Sequence, residues 1–250
     1  MTTPRRTAMV TGVFFAITIV ASIPAAYFFY TPVLGHPGYI VGPGADTRVS
    51  LGALLEIITV IANIGTAVTL FPILKRQNEG VALGYVAARI VESVIIVVGI
   101  LSLLAVVTLR QNLAGADAAS LVTAGESLVA VHDGTFLLGP GFLSGVGNGL
   151  MLGYLMYRSG LVPRRMAMLG LVGGPLVALS GIAVLLGLYE QVSAWSAVAT
   201  LPEFAWEASL AIYLIVKGFR PSAVARLDAA PAESGSPVGL QPTLGGHSGS

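Results

Sequence analysis

Five ionisable side chains stand inside long apolar stretches of this sequence: Glu56, Arg89, Glu92, Glu203 and Glu207. Arg89 and Glu92 are three residues apart, and Glu203 and Glu207 four, so each pair shares one face of a helix. Glu56 and Asn63, seven apart, share a face in the same way. His132 and Asp133 open a glycine-studded apolar run that holds a single amide, Asn148. Four carboxylates cannot all stay ionised around one guanidinium in a low dielectric, so some must be protonated, hydrated or neutralised by a bound cation. That imbalance suits an acidic cavity binding protons, an inorganic cation or a cationic small molecule. Its candidate residues are Glu56, Asn63, Arg89, Glu92, His132, Asp133, Asn148, Glu203 and Glu207. A structural reading stands beside it, in which Glu92 and Glu207 lock Arg89 into a buried network that fixes helix register.

Catalytic chemistry is harder to assemble. A catalytic zinc takes about three His or carboxylate ligands. Of the three histidines, His36 sits in a loop and His247 near the end of the chain, leaving His132. His132 with Asp133 and Glu56 could hold a metal weakly, and an intramembrane enzyme would have to use those three. The piece Gly141-Phe142-Leu143-Ser144-Gly145 has no second intramembrane His to serve as base for a nucleophilic serine. Paired aspartates are absent from the apolar stretches, and the glycine run lacks the Gly-Lys-Ser/Thr ending of a phosphate-binding loop. With no cysteine, thiolate metal sites are excluded. The expectation is a protein without catalytic residues, resident metal or cofactor.

The elements that carry these residues follow from composition. Hydrophobic residues make up 55% of the chain and charged residues 10%, and the mean hydropathy is +0.84. Soluble domains carry about a quarter charged residues, so this chain cannot cover a water-facing surface and is expected in a bilayer. At about 20 apolar residues per crossing, the pattern predicts an all-α protein with six transmembrane helices, near 8–30, 51–74, 81–109, 131–157, 166–188 and 197–216. These form one domain, 1–220. Residues 221–250, poor in large apolar side chains, are expected to be a disordered cytoplasmic tail.

Ten of the thirteen Lys and Arg residues fall at the N-terminus, after spans two and four, and after span six. The positive-inside rule then puts both termini in the cytoplasm of a multi-pass cell-membrane protein. No basic face exists for nucleic acid. Counted inward at about 1.5 Å per residue, Glu56 and Glu203 lie roughly 7–9 Å from the outer ends of their spans and Glu207 roughly 15 Å. Arg89 and Glu92 come near the midplane, His132 and Asp133 at the outer rim, and Asn148 on the inner side of span four. The cluster is therefore expected to face outward.

Gly145, Gly149 and Gly153 repeat every fourth residue, and Gly170 and Gly174 do the same in span five. Such small-xxx-small faces let helices approach closely. They suit packing of span four on span five and, as the alternative, a seam to another copy or a partner protein. Pro24 is expected to kink span one, and Trp195 and Trp206 to be interface or packing aromatics.

The chain resembles the bacterial membrane-protein family catalogued as domain of unknown function 4386. The matching pieces are Ala87-Ala88-Arg89, His132…Gly141…Gly153-Tyr154, and the turn Tyr157-Arg158-Ser159-Gly160-Leu161-Val162-Pro163-Arg164. Pro202-Glu203…Glu207 and Leu214-Ile215-Val216-Lys217-Gly218-Phe219 complete the set, and the likeness spans about Arg5–Arg220. The resemblance implies a six-helix protein of the bacterial inner membrane and no particular activity. The readings that remain are a binding or transport-like protein with an acidic cavity, a non-catalytic assembly or regulatory subunit, and an intramembrane enzyme. The lipid bilayer is the one partner common to all three.

Overall fold

A computed structural model describes residues 3–112 and 117–229. Helices dominate it, and no strand occurs among the described residues. Six helices are long and apolar enough to cross a bilayer: α1 (Thr3–Phe29), α2 (Asp46–Leu74), α3 (Glu79–Gln111), α4 (Ala118–Ser159), α5 (Arg164–Leu185) and α6 (Ala194–Val216). The chain is a six-helix multi-pass membrane protein.

The helices outrun their hydropathy boundaries. α4 starts at Ala118 rather than near Val131, inside a stretch expected to be a polar loop, because its Ala, Ser and Leu residues favour helix while being too polar to register as a span. Asp117 caps it, accepting a hydrogen bond from the Ser120 amide at 2.9 Å. The other end of α4 closes at Gly160, whose φ of 68° is left-handed backbone that glycine enters without strain. The expected tail also begins as helix. A further helix, α7 (Pro221–Ala229), buries Ala223, Val224 and Leu227. It rests on the Leu161-Val162 turn through the Arg220 amide, which donates to Leu161 O at 2.9 Å. A short apolar stripe at helical spacing was enough, although the surrounding composition hid it. The rest of that tail, 230–250 with His247, lies outside the described residues.

Each long helix packs on its sequence neighbours, and α6 closes on α1, giving a ring of six antiparallel helices. Arg5 clasps the ring where its ends meet. Its guanidinium donates to the carbonyls of Leu214, Ile215 and Val216 at 3.0, 2.8 and 3.0 Å, satisfying C-terminal groups of α6 that have no partner within the helix.

Toward the termini, an apolar core that includes Phe15, Leu70, Leu74, Tyr85, Leu155, Met156, Trp206 and Leu214 fills the ring. At the opposite end a smaller core gathers Tyr30, Tyr39, Ile40, Leu103 and Val106 beneath the α1–α2 connection. Asp46 ties that connection down, pairing with Arg110 at 2.6 Å and accepting from the Tyr39 hydroxyl at 2.8 Å. Burial and the Asp46 hydrogen bond push the Tyr39 phenol up to about 12, so it stays a neutral donor.

The glycine faces are consumed inside the chain. A Cβ on Gly145 or Gly149 would run into the Gly174 backbone, and one on Gly173 would meet the Glu203 amide nitrogen at 2.5 Å. Helices α4, α5 and α6 thus touch backbone to backbone, which only hydrogen side chains allow. Gly173→Ala is expected to lower stability by about 1–3 kcal/mol, seen as a lower denaturation midpoint in detergent. Gly134→Ala, where a Cβ meets nothing within 4 Å, should cause no loss. Equal midpoints for the two variants would contradict the close-packing account.

Candidate functional site

Between the two cores the ring encloses a cavity of about 210 Å³. Every long helix contributes to it. Its polar wall is Glu56, Asn63, Arg89, Glu92, Glu203 and Glu207, with Thr18, Ser22, Thr59, Ser144 and Thr200 adding hydroxyls. Six of the nine residues singled out from the sequence therefore line one space.

Arg89 is buried and held by two residues. It donates to Glu92 Oε2 at 2.8 Å and to Asn63 Oδ1, while Asn63 Nδ2 reaches Glu92 Oε1 at 3.5 Å. This closed triangle of guanidinium, carboxylate and amide spans α2 and α3. Glu207 stands apart from it. Asn148 Nδ2 donates to Glu207 Oε1, and Ser144 Oγ lies 3.5 Å from the same atom. The network expected from spacing, with Arg89 bridging Glu92 and Glu207, is thus divided: Arg89 keeps Glu92 and gains Asn63 from α2, while Glu207 is hydrogen-bonded by α4.

The backbone of α4 makes that possible. Leu137–Leu143 and Gly145–Leu152 are wound as π-helix around Pro140 and the glycine run. Proline removes a helix donor, and the wider π turn accommodates the fault. Ser144 and Asn148, four apart, then present side chains to the same carboxylate. Asn148 is fixed from behind by Trp206, whose indole nitrogen donates to Asn148 O at 3.1 Å. Trp206 is therefore a buried packing residue, while Trp195 is exposed.

Glu56 accepts a hydrogen bond from the Tyr30 hydroxyl at 2.8 Å. Tyr30 in turn meets the His132 ring edge-to-face at 5.5 Å between centroids. His132 is buried beside Glu56 behind the cavity wall, and its Nδ1 has no hydrogen-bond partner. Asp133 points away with its side chain 62% exposed, its Oδ1 3.6 Å from His132 Nδ1. Glu56, His132 and Asp133 do not gather as metal ligands, and no such group of three exists among the described residues.

Glu203 is different from every other charge here. It is 4% exposed, it lines the cavity, and neither carboxylate oxygen has a hydrogen-bond partner. Its helix presses against Gly173 and its Oε2 against Gly149, so the bundle itself positions the group.

Tyr30, Ser144 and Trp206 were not among the residues singled out for the site. Tyr30 ends an aromatic run of the kind that marks a membrane interface, and nothing in the sequence separates it from Phe28 and Phe29 except its hydroxyl. Ser144 had a weak signal, standing four residues before Asn148.

The Arg89 triangle has a direct test. Arg89→Met leaves Glu92 buried without its countercharge and is expected to cost about 3–5 kcal/mol, whereas Arg89→Met with Glu92→Leu should recover most of that loss. Chemical denaturation in detergent of both variants measures it. A double variant no more stable than the single would show that the pair does not act as a unit.

No curated protein and no solved structure matches the chain. The family model described as Domain of unknown function (DUF4386) matches residues 10–218, and the chain belongs to that family.

Proposed function

We propose that this protein binds a small cationic ligand inside the bilayer, in a binding or transport-like role. The observation that carries the reading is Glu203, a buried carboxylate that lines a cavity and has no partner of its own. Uncompensated ionisable groups at bilayer depth are costly, and in membrane proteins they mark substrate and ion pathways. In this reading Glu203 is the primary contact, with Glu207 and Glu56 as further acceptors. Arg89, paired with Glu92 and hydrogen-bonded to Asn63, sets the shape and field of the cavity without cancelling the remaining carboxylates. His132 and Asp133 belong to the rim.

The distribution of Lys and Arg supports a cytoplasmic termini end and a cell-membrane location. The apolar core on that side would then close the cavity toward the cytoplasm, leaving it accessible from the outer half. An assembly or regulatory subunit is the weaker alternative, because the glycine faces that would serve as a seam are filled by the chain's own helices.

A thermal-shift series on detergent-purified protein tests the proposal, using sodium, potassium, magnesium and small alkylammonium ions. A ligand that binds the folded state alone stabilises it by about 2.7 kcal/mol at a hundred times its Kd. At least one cation is expected to raise the midpoint of the wild type and not that of Glu203→Gln. If no cation shifts the wild type, or if Glu203→Gln shifts equally, the reading fails.

A further inference from the structure

The seam between α1 and α6 changes character along its length. In α1, helical spacing puts Arg5, Gly12, Ile19 and Ile23 on one stripe; in α6 it does the same for Ile215, Ala211, Phe204 and Thr200. Near the termini the two stripes are clamped. A Cβ on Gly12 would meet Ala211 O and Ile215 Cγ1, both at 2.8 Å, and Arg5 bonds the last carbonyls of α6. Farther on, the same stripes come into the open. Ile23 and Phe204 are each 42% exposed, yet both line the cavity, together with Ile19 and Thr200.

Residues that face each other across a closed seam would be buried, as Ala211 is. The helices therefore part where the cavity lies between them. Each carries a proline near that height, Pro24 in α1 and Pro202 in α6, and α1 continues past Pro24 as π-helix. Proline bends a helix away from its straight course, which is how two helices clamped at one end can diverge at the other.

Counted like Glu203 from the outer end of the span near residue 197, Phe204 lies roughly 10 Å deep. At that depth what lies outside the seam is hydrocarbon. The opening is thus a lateral mouth rimmed by apolar side chains, and the unpartnered Glu203 stands one residue from Phe204.

We propose that the ligand is a cationic amphiphile, a long-chain amine whose ammonium head enters between α1 and α6 from the bilayer. This inference rests on the cationic-ligand reading of the same cavity and adds the class of molecule and its route. The head would lie against Glu203 and Glu207, where three carboxylates remain beyond the Arg89–Glu92 pair. The alkyl chain would pass Ile23 and Phe204 and stay in the lipid. Size argues for that division, since about 210 Å³ is smaller than the pockets of about 300–1,000 Å³ that enclose whole drug-sized ligands.

The experiment compares dodecylamine with ethylamine on protein in lipid nanodiscs, by competition and by thermal shift. Partitioning concentrates the long-chain amine at the mouth, so its apparent affinity should exceed that of ethylamine by at least about tenfold. Ile23→Trp, which narrows the mouth, should weaken dodecylamine about tenfold more than it weakens ethylamine, while Glu203→Gln weakens both alike. Phe204→Trp narrows the mouth from the other side at its apolar rim and serves if Ile23→Trp fails to fold. Ethylamine binding with no gain from the chain, or mouth variants that bind dodecylamine as well as wild type, would overturn the lateral route and leave the cavity reading intact. Failure of both amines on the wild type would sink the cavity reading itself.

Discussion

A guanidinium at bilayer depth has to be answered from within the protein, because hydrocarbon supplies neither acceptors nor countercharge. Arg89 meets that constraint with Glu92 from its own helix and Asn63 from the helix before it. The triangle pins α2 to α3 in one register, since sliding either helix by a turn would strand a charge. Once Arg89 is spoken for, the other carboxylates must find separate solutions. Glu56 takes a phenol and Glu207 an amide, and Glu203 takes nothing. The cavity is what remains when the one cation is paired with Glu92 and three acids are left without a countercharge of their own.

The second constraint is proximity. Glu203 sits where it does because α5 and α6 meet at Gly173 and α4 and α5 meet at Gly174, with no side chains between the backbones. The glycine repeats thus do more than allow helices to pack. They bring α4 near enough for Asn148 and Ser144 to reach Glu207, and they deny Glu203 any neighbouring side chain that could donate to it. Packing and electrostatics at this site are one arrangement seen from two sides.

Much of this was legible in the sequence. The six helices followed from apolar length alone, since few other structures can satisfy a backbone in lipid. The charged residues announced themselves for the same reason, and six of the nine candidates meet on one cavity. Helix ends were less legible. Ala118–Val131 is helical but too polar to count as a span, and Pro221–Ala229 is too short to stand out from its surroundings. Partner choice was not legible at all. Spacing placed Glu207 at a depth where Arg89 could reach it, but the π-wound stretch of α4 turned Asn148 toward it instead. A hydroxyl such as that of Tyr30 carries no signal of burial. The parting of α1 from α6 depends on contacts between the two ends of the chain, which no local pattern records.

The clasp between Arg5 and the end of α6 also bears on how the molecule is made. Chain order is ring order, so α1 gains its second neighbour only when α6 arrives. Until α6 emerges, α1 carries Thr18 and Ser22 toward a gap, and α4 holds Asn148 with its acceptor still unmade. The sixth span is therefore also the keystone, bringing Glu203, Glu207 and the closing contact together. It is among the two least hydrophobic of the six spans, so its own insertion draws on the five already in place. Assembly of the cavity therefore waits for α6.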